Sequence, residues 1–279
     1  MSKLLRSLAV LGLAGVTVAL TAPAASARPA PPPAPASTSP TGYDVSYPQC
    51  RSRLPTGQAF GIVGVNGGLA TTANSCLSTQ LRWAWQSVGG TSQPKAQTYL
   101  NTANPGQVKD QVTTWPSSGT TPAYGTCNGG NNQACSWVYG YQRAQNSVQN
   151  IFAPAARSAR VDGTPAHYTW WLDVETTNTW QSGTSDAQAN NRATLEGMTA
   201  YLQGLGAPVG LYSTGYQWGQ IAGTVPSSSP LYTLDSWLPG ASTAAGATAN
   251  CAAPPLVGGG TVTVTQYVSG GLDHDISCP

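Results

Sequence analysis

Short apolar runs alternate along this chain with longer segments in which apolar residues recur every three or four positions. The runs, bounded by glycine and polar residues, predict strands, and the longer spacing predicts amphipathic helices. The predicted strands cover residues 42–46, 60–65, 98–101, 168–174, 209–213, 231–234 and, as the final strand, 261–267. The predicted helices cover residues 77–86, 137–152 and 187–205, the last of which ends at Gly206.

Strands that alternate with helices favour an α/β fold with a parallel sheet. Length and element order favour a single domain with a (β/α)8 TIM-like barrel. The sixth and seventh strands are poorly defined by the pattern, so the prediction allows for an irregular barrel. In such barrels the chemistry lies at the carboxyl ends of the strands. Asp44, Asp173 and Glu175 all follow or end predicted strands, so we expect them at that face.

The N-terminus has the features of an export signal. Lys3 and Arg6 precede a short apolar run, and a small-residue cleavage site ends at Ala27, which predicts a signal peptide over residues 1–27. Residues 28–41 are rich in proline and alanine and predict an extended linker. The barrel domain is then expected over residues 42–279. We predict a protein that is secreted or associated with the cell wall, with no membrane span after signal cleavage.

The balance of charge argues against polyanionic partners. The chain has 12 Lys and Arg against 10 Asp and Glu, and signal removal leaves ten of each. Without a basic patch, nucleic acid and anionic membranes are poor candidates. Nine Trp and 12 Tyr against two Phe suit sugars, because these rings offer an apolar face with a polar edge. The alternative is that the rings are simply core.

Six cysteines in an exported chain predict three disulfides. Fifteen pairings are possible, and the sequence does not choose among them. Proximity favours the pairs Cys50–Cys76, Cys127–Cys135 and Cys251–Cys278 as a hypothesis. No cysteine or histidine cluster indicates a zinc site, and Asp273-His274-Asp275 is weak support for any metal. We expect neither a metal nor a cofactor.

The most specific chemistry lies at the end of the run 170–174, where Asp173 and Glu175 stand two residues apart. Side chains at this spacing point to the same face of a strand. Two acids at close range have pKa values that move apart, so one can stay protonated while the other is ionised. This arrangement is typical of general acid catalysis. The alternatives are capping of the strand end or a buried ion pair with arginine.

Three groups of residues, in this order, resemble glycoside hydrolase family 25. They are Tyr-Asp-Val-Ser at 43–46, Leu-Asp-Val-Glu at 172–175, and Gln-Tyr at 266–267 followed by His-Asp-Ile at 274–276. The family consists of secreted muramidases, or lysozymes, with a modified (β/α) barrel. The resemblance implies a glycosidase that acts on cell-wall peptidoglycan or a related amino-sugar glycan. Thr265 departs from the pattern, because the family usually carries tryptophan there.

The resemblance also implies roles for single residues. Glu175 matches the general acid, and Asp173 matches the acid that assists the substrate or stabilises the positive sugar centre. Asp44 matches a first-strand carboxylate in the pocket. Asp275 best matches a late aspartate, with Asp273 as its rival. The substrate contacts expected are Tyr43, Trp180, Tyr212, Gln266 and Tyr267.

Two alternatives to the hydrolase stay open at this point. One is a catalytically inactive glycan-binding module, favoured by the many Trp and Tyr residues and by the departure at Thr265. The other is a structural cell-envelope protein held by its proline-rich linker. In each case we expect a monomer.

Overall fold

Eight strands form a closed barrel in a computed structural model that describes residues 41–279. The strands of the chain are β1 (Thr41–Val45), β2 (Gly61–Gly64), β3 (Ala96–Asn101), β4 (Gly119–Thr121), β5 (Gly125–Cys127), β6 (Trp170–Asp173), β7 (Val209–Tyr212), β8 (Asp235–Ala241), β9 (Val262–Ser269) and β10 (Leu272–Ser277). The order around the barrel is β1-β10-β9-β8-β7-β6-β3-β2, and β2 pairs with β1 to close it. The short strands β4 and β5 form a separate hairpin. The predicted α/β barrel is confirmed.

The barrel is irregular at one strand. β10 runs antiparallel to both β1 and β9, whereas the other neighbouring strands run parallel. A tight turn at Gly270 and Gly271, both with positive φ, replaces the helix that a parallel connection would need. The sequence pattern placed the final strand at 261–267 and missed β10. β10 lacks the apolar pattern that predicts a strand, because several of its polar residues face the interior of the barrel.

Six α-helices surround the barrel or connect its strands in the described part of the chain. They are α1 (Leu77–Trp85), α2 (Gln133–Asn146), α3 (Ala153–Ala159), α4 (Ser185–Gly204), α5 (Gly215–Ile221) and α6 (Ala244–Asn250). A π-helical segment, Ser147–Phe152, joins α2 to α3. Short 3-10 turns lie at Tyr47–Gln49, Gly106–Gln111 and Pro165–His167. A threonine side chain caps the first turn of α4, α5 and α6 by accepting a backbone N–H bond.

One predicted strand is wrong. Residues 231–234 form a turn, and the neighbouring strand begins only at Asp235. Leu231 and Leu234 are buried, so the apolar signal comes from a turn packed on the core rather than from a strand. The helices α5 and α6 were also missed, because they are short and carry few large apolar residues. The domain boundaries stay predictions: residues 1–40 lie outside the described part, and Thr41, placed in the linker, begins β1.

Aromatic side chains fill the lower part of the barrel interior. Trp171 and Trp237 pack against Phe60, Ile62 and Val264 in one buried cluster. No side chain at Gly210 would fit here, since a Cβ would lie 2.3 Å from the Trp171 ring. A second, larger cluster lies between the barrel wall and the helices. The pocket described below opens above this packed cluster, at the carboxyl ends of the strands.

Two glycines allow α2 and α4 to approach closely. A Cβ at Gly140 would lie 1.9 Å from the backbone oxygen of Thr194 in α4. A Cβ at Gly197 would lie 2.0 Å from the backbone oxygen of Trp137 in α2. Both positions are in helix interiors, where glycine normally destabilises. Backbone-to-backbone packing therefore explains why the chain has glycine there.

Three disulfides fasten the loops, and they join the pairs that proximity favours: Cys50–Cys76, Cys127–Cys135 and Cys251–Cys278. The middle one ties the β4–β5 hairpin to the start of α2. No helix within residues 41–279 is long and apolar enough to cross a membrane.

Candidate active site

A pocket of about 180 Å³ opens where the parallel strands end. Four carboxylates line it, together with two tyrosines, one tryptophan and one glutamine: Asp44, Asp173, Glu175, Asp273, Tyr99, Tyr212, Trp237 and Gln266. Among the predicted site residues, the structure therefore brings together Asp44, Asp173, Glu175, Tyr212 and Gln266.

Strand register explains how acids distant in sequence meet. Asp44 pairs with Asp273 across the antiparallel β1–β10 ladder, so these two carboxylates share one face. Asp173 ends β6 and pairs with Tyr212 of β7. Glu175 lies two residues beyond Asp173, just past the end of the strand. The period of two thus directs the strand residues into the barrel mouth, and Glu175 joins them from just past the end of β6.

Gln266 fixes the orientation of Asp44. Its Nε2 donates to Asp44 Oδ2 at 2.7 Å, and its Oε1 accepts from the Tyr212 hydroxyl at 3.1 Å. The amide oxygen of Gln266 accepts from the Tyr212 hydroxyl, and its amide nitrogen donates to the Asp44 carboxyl group. Together the two bonds hold the glutamine side chain in one orientation. A chain of three side chains from β7, β9 and β1 therefore spans the pocket.

Asp275 does not line the pocket, which corrects the expectation from the sequence. It is fully buried below the pocket, where Trp237 Nε1 donates to its Oδ1 at 3.0 Å. Burial, followed by the charges of Asp44 and Asp273, raises the pKa of Asp275 well above its ordinary value. Asp273 lines the pocket instead. Both residues face inward, two positions apart, and Asp273 lies nearer the mouth.

Burial raises the pKa of the inner carboxyl groups. For Asp44 burial, and then the charges of Asp273 and Glu175, raise the pKa to about 8, against a smaller lowering by the Gln266 bond. Burial, followed by the charges of Glu175 and Asp44, raises the pKa of Asp173 well above its ordinary value. Several acids in one water-poor pocket cannot all be ionised, so protons are retained there near neutral pH.

Glu175 stands at the mouth, partly exposed. Burial raises its pKa, and a hydrogen bond from Gln217 lowers it in part. Gln217 Nε2 lies 3.5 Å from Glu175 Oε1. The Gln217 Oε1 accepts from the Thr176 backbone N–H at 2.6 Å, which turns the amide NH2 group toward Glu175. The sequence analysis missed Gln217, because α5 was not predicted.

The backbone on either side of Glu175 is tightly held. Val174 N donates to Tyr212 O at 2.8 Å, and Ser213 Oγ donates to Val174 O at 2.7 Å. Trp180 Nε1 donates to the Glu175 carbonyl at 3.0 Å. In contrast, Asp173 Oδ1 is buried without a hydrogen-bond partner in residues 41–279. This unpartnered oxygen adds to the desolvation that raises the pKa of Asp173.

Three predicted substrate contacts lie away from the pocket. Tyr43 and Tyr267 pack on either side of the His274 ring, at centroid distances of 4.6 and 4.8 Å. They alternate with the inward residues Asp44 and Gln266, so strand geometry places them on the outer face. Trp180 lines a neighbouring cavity rather than this pocket.

Two pocket residues were missed. Tyr99 lies in a predicted strand, and the alternation along that strand would have found it. Trp237 lies in β8, which the pattern misplaced. Thr265, where the family usually has tryptophan, faces outward and donates to the Ala247 carbonyl of α6 at 2.7 Å, so this departure leaves the pocket wall unchanged.

The donors present do not form a metal site. Within the described chain, no group of three or more His, Cys, Asp or Glu residues is arranged to hold a metal ion. The pocket instead combines a partly exposed acid at its mouth with carboxyl groups that have raised pKa values behind it. Such a set can donate a proton to a leaving oxygen and stabilise positive charge on a sugar ring.

Comparisons with known proteins found one matching family and several similar structures. A family described as lysozyme-like protein 1 matches residues 140–238, a range that contains Asp173 and Glu175. A muramidase from Acremonium alcalophilum has a similar structure, with a TM-score of 0.52, 16% identity, and coverage of 85% of this chain and 92% of that one. A lysozyme from Streptomyces coelicolor gives a TM-score of 0.51 and 17% identity, with coverage of 86% and 92%. No curated protein matches the sequence.

The structural similarities show the fold, and the family match adds the lysozyme-like class. The resemblance predicted from the sequence motifs is therefore confirmed: residues 140–238 match a lysozyme-like family, and the barrel fold is similar to that of a muramidase and a lysozyme. Glycoside hydrolase is the enzyme class that these findings support.

Proposed function

We propose that this chain is a secreted glycoside hydrolase that cleaves cell-wall peptidoglycan or a related amino-sugar glycan. The observation that carries the proposal is the placement of Glu175 at the mouth of a pocket whose wall includes Asp173, Asp44 and Asp273. The lysozyme-like match and the three disulfides, which suit an oxidising compartment outside the cell, support it.

In this mechanism Glu175 is the general acid. Burial raises its pKa and so helps it to keep a proton near neutral pH, while partial exposure leaves it within reach of a glycosidic oxygen. Proton transfer to that oxygen lets the bond to the anomeric carbon break. The sugar ring that remains gains positive charge in the transition state. A water molecule then forms the new C–O bond at the anomeric carbon, and its proton returns to the Glu175 carboxylate.

Asp173 lies on the inner wall of the pocket, where it can stabilise this positive charge. As a carboxyl group in the pocket lining, Asp173 can accept a hydrogen bond from the acetamido N–H of an amino sugar, which orients the acetamido oxygen toward the anomeric carbon. Asp44, oriented by Gln266, and Asp273 add negative potential on the opposite wall when they ionise. The pocket thus supplies both a proton and electrostatic stabilisation.

The test is release of reducing ends from purified peptidoglycan by the mature chain from Arg28 and by Glu175→Gln. Loss of the general acid should lower release by about 10²- to 10⁴-fold. Asp186→Asn, in the exposed first turn of α4, is the matched control and should behave as wild type.

Each result decides between named alternatives. Equal release by Glu175→Gln and wild type would reject the proposed acid. Saturable binding of peptidoglycan without release by wild type would identify a glycan-binding module. Neither binding nor release, with firm retention in the cell envelope, would identify a structural protein.

A further inference from the structure

A cavity of about 590 Å³ lies outside the barrel, between the end of α1 and the end of α3. Its lining includes Arg82, Trp85 and Gln86 from α1, and Ser158, Arg160 and Val161 from the end of α3. The Trp85 ring lies 6.1 Å from the ring of Tyr168, two residues before β6 begins. The cavity is therefore near the amino ends of the strands, away from the carboxylate pocket. We call it the Arg160 cavity.

Arg82 is held against the end of α3. Its Nε donates to the Ala159 carbonyl at 3.0 Å, and its Nη2 donates to the Ser158 carbonyl at 3.4 Å. These carbonyls belong to the last turn of the helix, which has no internal donors for them. Arg82 therefore satisfies oxygens that would otherwise repel an anion. Its Nη1 has no hydrogen-bond partner within residues 41–279.

Arg160 has a backbone conformation that favours glycine. Its φ of 56° and ψ of 43° are left-handed, at the C-cap of α3. No other non-glycine residue in the described range 41–279 has a positive φ. A Cβ strains this conformation, and helices commonly end here with glycine. The guanidinium of Arg160 has no partner in the same range, so no internal bond compensates the strain. Strain of this kind points to a use for the side chain.

The Arg160 cavity combines cationic groups with an accessible aromatic ring. Arg82 and Arg160 are both exposed, and no acid is among the lining residues. Trp85 is 44% exposed. The nearby Asp162 accepts from the Thr164 backbone N–H at 2.8 Å and contacts His167.

This lining favours a particular class of ligand. Two guanidinium groups from separate helices suit a phosphate, because a phosphate has more acceptor oxygens than a carboxylate. The face of an indole ring suits a sugar. No local run of basic residues announces the site, since the arginines meet only where α1 and α3 end side by side.

We propose that the Arg160 cavity binds a phosphorylated sugar, with the phosphate at Arg82 and Arg160 and the sugar ring on Trp85. Such a site would hold the protein on cell-wall polysaccharides that carry phosphate groups. It goes beyond the proposed hydrolase and does not depend on it. The fold separates the two functions, because the carboxylates gather at one end of the barrel and these arginines lie near the other.

Titration with N-acetylglucosamine 1-phosphate gives the first test. The Trp85 indole N–H signal in NMR spectra, assigned by its loss in Trp85→Phe, would report binding. We expect saturable shifts in wild type and an affinity lower by about 10-fold or more in Arg160→Gly, because a charge-assisted hydrogen bond is lost. Arg53→Gly is the matched control, since it also removes an exposed arginine but lies outside the cavity.

Three comparison ligands test the chemistry of the site. Uncharged N-acetylglucosamine should give no saturable shift. Wild-type affinity for the sugar phosphate in Arg160→Gly would overturn the proposal. Equal affinity of wild type for inorganic phosphate would also overturn it, because the ring of Trp85 would then contribute nothing. Tighter binding of glucuronic acid would do the same, because the site would then select a carboxylate.

Urea unfolding separates ligand binding from a structural role of Arg160. Glycine adopts the left-handed conformation without strain, so Arg160→Gly should unfold at a higher urea concentration than wild type. Lost affinity in a variant that is at least as stable would support the proposal. A lower urea midpoint with unchanged affinity would overturn it and assign Arg160 to the end of α3.

Cosedimentation with purified cell walls gives the last test. Glu175→Gln would be mixed with walls before and after hydrofluoric acid removes their phosphodiester-linked polymers. We expect about fivefold or greater loss of binding on the treated walls, and equally weak binding of Glu175→Gln carrying Arg160→Gly to both. Equal binding of Glu175→Gln to treated and untreated walls would overturn the proposal.

The two proposals fail separately. If wild type releases no reducing ends, the hydrolase is rejected, and binding that depends on Arg160 still stands. If release depends on Glu175 but the sugar phosphate binds equally well without Arg160, only the Arg160 cavity is rejected.

Discussion

Replacement of Asp44 by asparagine should stabilise the protein, and the gain should grow with pH. Burial and neighbouring charges raise the pKa of Asp44 from 3.8 to about 8, so the folded chain holds a proton that the unfolded chain releases. Between these two pH values the native state binds more protons than the unfolded state, and stability therefore falls as pH rises. An asparagine has no such proton to lose, and it can still accept the Gln266 bond.

The size of the effect follows from the two pKa values. At about 1.4 kcal/mol for each pH unit, a change from 3.8 to about 8 sets an upper limit of about 6 kcal/mol between pH 4 and pH 8. The charge of Asp44 interacts with those of Asp273 and Asp275, and such coupling spreads the cost over several groups. We expect Asp44→Asn to gain about 2–4 kcal/mol over wild type at pH 8 and to be close to wild type at pH 4.

Urea unfolding at pH 4, 6 and 8 measures this difference. Asp110→Asn is the control, because the Asp110 side chain is 87% exposed and its ion pair within residues 41–279 is with the adjacent Lys109. This control should follow the wild-type trend with pH. Unfolding free energies of Asp44→Asn that run parallel to wild type across the three pH values would refute the reasoning. The same variant should lose glycan release, so the extra stability comes at the expense of function.

Two further predictions concern the acid at the mouth and the helix packing. Gln217→Leu removes the N–H that stabilises ionised Glu175, so the pKa of Glu175 should rise. The fall in activity on the alkaline side of the pH–rate profile should then shift to higher pH by about half a pH unit. An unchanged pH–rate profile would contradict this. Gly140→Ala should destabilise by about 3 kcal/mol or more, because its Cβ would lie 1.9 Å from the α4 backbone; an unchanged urea midpoint would contradict the close packing of α2 and α4.

The alternation of strands and helices was sufficient to predict the barrel, but not its last strand. β10 carries Asp273 and Asp275 toward the interior and His274 toward the outer tyrosines, so its pattern has little apolar signal. Its polar residues are explained by the pocket that they help to build, which no local pattern reveals. The turn at 231–234 shows the reverse case: its leucines are buried and give an apolar signal typical of a strand, although no strand forms there.

By itself the sequence determined that Asp173 and Glu175 point the same way, since two-residue spacing fixes the face of a strand. It also determined the face of Tyr43 and Tyr267, which alternate with Asp44 and Gln266, although the aromatic composition suggested a different role. Local spacing cannot show how deep in the barrel a side chain lies or which distant residue it contacts. Asp44 and Gln266 are 222 residues apart and meet only because the barrel closes. Barrel closure and strand register likewise decided that Asp273, rather than Asp275, reaches the pocket.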